Sequence, residues 1–120
     1  MDTISRSRVE LLLDSLSGMS EICILTHTNP DPDAIASAVA LRVLLTEMSG
    51  IRCRMAYTGI IGRAENKALV RYLRHPFRRT SRVAMNKTLP IFMVDTQPGA
   101  GNNNIALESR LVGVIDHHPW

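Results

Sequence analysis

A chain of 120 residues with 45% hydrophobic, 21% charged and 4% aromatic residues has the balance of one globular unit, which excludes a disordered tail, a collagen-like repeat and a disulfide scaffold. Fourteen Lys and Arg against 11 Asp and Glu give a net charge of +3, too small an excess to define a nucleic-acid groove by itself. No apolar run reaches the roughly 18 residues of a membrane span, and there is neither a signal-peptide pattern nor a CxxC or CxxH spacing, so a membrane anchor and a structural zinc site are unsupported and a cytoplasmic location is expected.

The first predicted element is a helix over Ser5–Leu16, where Val9, Leu12, Leu13 and Leu16 recur at helical spacing, with Ser5 as N-cap and Gly18 as stop. Glu21–Thr26 (EICILT) is a short, continuous apolar run and reads as a strand buried on both faces. His27–Asp33 (HTNPDPD) is polar, carries two prolines and reads as a loop. Asp33–Met48 is a helix rich in Ala and Leu and ended by Gly50; Arg52–Thr58 is a strand and Ala64–Leu73 a helix. The basic stretch Arg74–Lys87 matches no single element. Leu89–Val94 is a third strand, followed by the loop TQPGAGNNN, a short helical segment around Ile105–Ser109 and a fourth strand at Leu111–Ile115. Cys23 and Cys53 each lie in a strand-like run, where a reduced, buried thiol is expected. Strands that alternate with helices and read as apolar on both faces predict an α/β fold, a mostly parallel sheet flanked by helices.

Three predicted strand ends carry the chemistry. His27, Asp31 and Asp33 follow the first strand, Asp95 follows Val94, and Asp116, His117 and His118 follow Ile115. Each has a plain structural alternative: Asn29-Pro30 starts a turn and Asp33 caps the next helix, Asp95 forms a turn, and the final histidines are a solvated tail. A parallel sheet, however, binds ligands beyond the carboxyl ends of its strands, and three of the four His and four of the six Asp fall there. Imidazole and carboxylate donors without thiolate suit a divalent first-row ion, Mn²⁺ ahead of Mg²⁺, with zinc still open. So many donors suit two ions sharing a bridging carboxylate better than one. If four aspartates surround metal, the remainder of the chain is more basic, which favours an anionic ligand such as a phosphate ester.

HTNPDPDA at 27–34, VDTQPG at 94–99 and DHHP at 116–119 resemble the first three motifs of the DHH phosphoesterase family, over residues from about 20 to the end. The resemblance implies a Rossmann-like sheet domain and a two-ion Mn²⁺ site. His27 and Asp31 would hold one ion, Asp33 and His117 the other, and Asp95 would bridge them. His118 would face substrate as a catalytic group, with Asp116 orienting the histidine pair and Asn29 a supporting hydrogen-bonder. Pro32 replaces a frequent glycine without touching a ligand. The family's fourth motif, with a further Asp, and its C-terminal substrate-binding domain have no counterpart in residues 1–120, so these residues are expected to be an N-terminal portion, nearly inactive alone.

The substrate class that the resemblance implies is a phosphate ester in a short oligonucleotide or nucleotide, as in the oligoribonuclease and 3′-phosphoadenosine-5′-phosphate phosphatase branch, toward which the basic stretch Arg71–Arg82 inclines the reading. A manganese-dependent inorganic pyrophosphatase or exopolyphosphatase is the enzymatic alternative. An inert metal- or nucleotide-binding fragment is the alternative of another class. No membrane partner is expected, and the reading allows a homodimer.

Overall fold

The computed structural model describes residues 2–62, 64–74, 77–79, 89–101, 103 and 110–119, with backbone alone for 64–66 and 72. The segment 105–109, expected to be helical, lies outside the described residues, as does most of 74–87. Helix α1 spans Thr3–Ser15, β1 Glu21–Leu25, α2 Pro32–Ser49, β2 Arg52–Tyr57, α3 Ala64–Leu73, β3 Phe77–Arg79, β4 Ile91–Val94 and β5 Leu111–Ile115. The strands form one sheet in the order β3-β2-β1-β4-β5, and every pairing is parallel. The α/β expectation holds, and the sheet is parallel throughout.

β1 is central because its residues satisfy both faces. Ile22 and Ile24 join Cys53 and Met55 of β2, Phe92 and Val94 of β4 and the apolar stripe of α2 in the main core. Cys23 and Leu25 pack on the opposite face with Ala56, Ile91 and Met93. Alternate side chains of a strand point to opposite faces, so a continuous apolar run is what a two-sided position needs. α2 buries Ala34, Ile35, Ala38, Val39, Leu41 and Leu45 at helical spacing and ends at Gly50, left-handed at φ 67°. Leu12 and Leu13 of α1 and Leu73 of α3 pack on the same cluster, so the three helices share one face.

Four local expectations are corrected. Asp2, not Ser5, caps α1: its carboxylate accepts from the Ser5 amide at 2.7 Å. Asp31, not Asp33, caps α2, with Pro32 in its first turn. β3 inserts an extra parallel strand in the basic stretch, pairing Met55, Ala56 and Tyr57 with Phe77, Arg78 and Arg79. β5 is not buried on both faces: Leu111, Val114 and Ile115 are 38%, 40% and 50% exposed.

Candidate metal centre

Strand order alone brings the polar clusters together. β1, β4 and β5 are parallel neighbours, so His27, Asp95 and Asp116 leave three adjacent strands at one edge, with Asp95 on the middle one. The chain runs from β1 towards β2 but from β4 towards β5. The crevice between β1 and β4 is therefore the topological switch point, where open parallel sheets bind ligands.

Asp95 is only 6% exposed and adopts φ 57°, a left-handed backbone that costs a non-glycine residue about 1–3 kcal/mol and tends to occur at functional sites. Its amide donates to the Ile115 carbonyl at 2.8 Å, which fixes β4 to β5 at the rim. Its two carboxylate oxygens face different partners. Oδ1 lies 2.9 Å from His117 Nε2 and 4.0 Å from His118 Nδ1, whereas Oδ2 lies 3.6 Å from His27 Nε2.

His27, Asp31 and Asp95 form the first donor group, with ligand atoms within 4.8 Å of one another. His27 Nδ1 contacts the Thr28 carbonyl at 2.9 Å; a carbonyl only accepts, so Nδ1 carries the proton and, in the neutral ring, Nε2 holds the lone pair. That tautomer, held by a carbonyl behind the ring, is the usual arrangement of a metal-binding imidazole. Nε2 is 3.6 Å from Asp31 Oδ1. Asp31 Oδ1 also accepts the Ala34 amide at 2.9 Å, so the helix cap and the candidate ligand are one residue, and the cap holds the carboxylate in place.

Asp95, Asp116, His117 and His118 form the second group, also within 4.8 Å. His118 Nδ1–H donates to Asp116 Oδ1 at 2.5 Å, and Gln97 Nε2 donates to Asp116 Oδ2 at 2.8 Å. Burial works to raise the Asp116 pKa, but the hydrogen bonds from His118 and Gln97 outweigh it and leave the carboxyl below its ordinary value. The same bond to Asp116, assisted by its charge and that of Asp95, raises the His118 imidazole above its ordinary value. The two imidazole rings lie 4.2 Å apart, centroid to centroid.

A nearly buried carboxylate faced by imidazole nitrogens on both oxygens fits a divalent cation. Residues 21–120 match the model of the DHH family, N-terminal domain. The chain belongs to the DHH family. An uncharacterized protein of Methanocaldococcus jannaschii is 38% identical over 98 residues, 81% of this chain and 20% of that protein. A probable manganese-dependent inorganic pyrophosphatase of Bacillus licheniformis is 32% identical over 100 residues, and one of Bacillus cereus 29%, each covering 83% of this chain and 32% of the relative. The chain thus spans between a fifth and a third of the curated relatives it matches.

Of the residues singled out in the sequence, this DHH domain gathers His27, Asp31, Asp95, Asp116, His117 and His118 around one carboxylate. Asp33 lies in the first turn of α2, exposed, and in neither donor group. Beside the second group opens a cavity of about 600 Å³, lined by Thr96, Gln97, Gly99, Ala100, Asp116 and His118. A depression of about 460 Å³ at the opposite, amino end of the sheet is lined by Glu21, Pro90 and Arg110 among others; no donor group found among the described residues lies there. Gln97 belongs to the VDTQPG motif, but its type alone points to no role there. Its Nε2 reaches Asp116, and Asn103 Nδ2 in turn donates to the Gln97 carbonyl at 2.9 Å and to Thr96 Oγ1 at 3.1 Å. The available signal was its place two residues after Asp95, in the same strand-end loop. No helix among the described residues is long and apolar enough to cross a membrane.

Proposed function

We propose that residues 1–120 are the metal-holding portion of a Mn²⁺-dependent phosphoesterase, with a short oligonucleotide or nucleotide as substrate. The observation that carries this is the division of Asp95, whose oxygens face His27 on one side and His117 with His118 on the other. A shared carboxylate between two donor groups is the arrangement required for two ions a few Å apart. Bound there, two ions would lower the pKa of a water and neutralise charge developing on phosphoryl oxygens. His27, Asp31 and Asp95 would hold the first ion and Asp95 with His117 the second; Asp33, in neither donor group, is assigned to the second by the family resemblance alone. Asp116 keeps the proton on His118 Nδ1 and favours the charged imidazole, so His118 presents a cation and an N–H donor to an anionic phosphoryl group. The adjoining cavity, about 600 Å³, is of small-ligand size.

A second reading, pyrophosphate as substrate, is favoured by the two Bacillus relatives. Calorimetric titration of Mn²⁺ into the chain tests the site: affinity should fall in both His27→Ala and Asp95→Ala, and binding that ignores both removes the reading. With the full-length protein and Mn²⁺, cleavage of a dinucleotide to mononucleotides, compared with release of inorganic phosphate from 3′-phosphoadenosine-5′-phosphate and from pyrophosphate, separates the substrates. Turnover of pyrophosphate alone selects the second reading.

A further inference from the structure

The loop that carries His27 and Asp31 is built against its neighbour rather than left to itself. The Asn29 amide donates to the Thr58 carbonyl at 3.0 Å, the Ile60 amide donates to Asn29 Oδ1 at 2.8 Å, and the Thr28 and Thr58 hydroxyls share a hydrogen bond at 2.8 Å. Thr58 is 1% exposed. Between these bonds lies Gly59 at φ 77°, where a Cβ would stand 2.0 Å from Asn29 Oδ1 and 2.9 Å from Thr28 Cγ2. A side chain there would have to occupy the space of the Asn29 amide, in a backbone conformation that L-residues rarely adopt.

Asn29 is itself left-handed, at φ 56°, a region that Asn enters more readily than most residues. It stands midway between His27 and Asp31, so a change in its backbone angles moves one donor relative to the other. Thr58, Gly59 and Ile60 carry no group suited to Mn²⁺ in either donor group; their influence on the centre passes through Asn29 and Thr28.

We propose that Asn29 is a positioning residue for the metal centre and that Gly59 is the opening that admits its amide: the loop after β2 is a template that sets the spacing of His27 and Asp31. The inference rests on the metal reading above and adds to it residues that touch no ion. Outer-shell partners of this kind typically contribute about 10–100-fold in metal affinity.

The test is Mn²⁺ binding to the full chain, by calorimetry and by electron paramagnetic resonance of the bound ion, with thermal melting of the metal-free protein alongside. Asn29→Gly keeps the left-handed backbone and removes Oδ1, while the exposed Ile60 amide can turn to water. Its affinity should fall about 10–100-fold, with an altered Mn²⁺ spectrum and an unchanged metal-free melting temperature. Gly59→Ala, which displaces Asn29 from outside the loop, should produce the same spectral change. Wild-type affinity in both variants, while His27→Ala abolishes binding, overturns the positioning role alone. A metal-free melting temperature for Asn29→Gly that falls along with its affinity also overturns it, since the role is then general stability. Binding untouched by His27→Ala overturns the metal reading and this inference with it.

Discussion

His27 and Asp31 leave a central strand with four of its five residues buried, whereas Asp116, His117 and His118 leave β5, which among the described residues pairs only with β4 and is half exposed. The first group is fixed from three directions: the ring of His27 by the Thr28 carbonyl, Asp31 by its cap on α2, and Asn29 by the loop after β2. The second hangs on the Asp116–His118 bond and on Gln97. Exposure of the histidines follows the same division, 14% for His27 against 73% for His117 and 49% for His118, whereas the aspartates reverse it, 54% for Asp31 against 4% for Asp116. One half of the candidate centre is preformed and the other adjustable, which would suit the proposed role of holding an ion while meeting a changing phosphoryl group.

Asp95 joins the halves, and removing it should produce the largest effect. Asp95→Ala takes one ligand from both groups, so Mn²⁺ affinity measured by calorimetry should drop beyond the roughly 100-fold limit seen for outer-shell partners. A loss of only tenfold would mean that the halves bind independently and that the shared carboxylate is incidental.

Next comes the footing of the adjustable half. Gly113 of β5 lies flat on Phe92, and a Cβ there would meet the ring at 2.3 Å. Phe92 is 1% exposed in the main core, so the ring cannot swing aside, and overpacking of this kind costs about 1–3 kcal/mol. Gly113→Ala should lower the urea midpoint accordingly. An unchanged midpoint would show that β5 shifts outward at no cost, looser still than its exposure indicates.

The sequence made the three strand-end clusters visible because each follows an uninterrupted apolar run, and a parallel sheet turns that local fact into a common edge. It could not show that β4 lies between β1 and β5, because strand order is a property of the whole sheet; the central place of Asp95 came from family resemblance instead. β3 escaped because Phe77–Arg79 is three residues with two exposed arginines and has no periodicity to read. The exposure of β5 escaped because LVGVI carries the same apolar pattern as a buried strand, and only its edge position distinguishes it. Asp31 and Asp33 are both good caps by type; the bond to Ala34 decides between them. Gly59 is an ordinary turn glycine until Asn29, 30 residues away in sequence, is placed against it.

Gln97→Ala offers a smaller and sharper probe of the adjustable half. It removes the donor to Asp116 Oδ2 from an exposed loop and leaves the core untouched. Mn²⁺ affinity should fall about tenfold, the lower end for an outer-shell partner, while the urea midpoint stays in place. A fall approaching about 100-fold in Gln97→Ala would erase the distinction between the halves.

The smallest effect is the pH dependence of the Asp116–His118 bond in the metal-free chain. His118 is raised above its ordinary 6.5, so what it adds to stability is fully present below 6.5 and is lost as pH climbs through the raised value. Asp116 is lowered beneath its ordinary 3.8, so its share is fully present above 3.8 and is lost as pH falls through the lowered value. The bond therefore counts in full only between about 3.8 and 6.5, and because the His118 ring is half exposed, solvent screens much of it. By proton NMR the His118 ring should titrate above 6.5 in the native chain and return toward 6.5 in Asp116→Asn. A His118 titration unchanged in Asp116→Asn would show that this bond does not set the charge of the ring, and that the second half is held more loosely than its hydrogen bonds indicate.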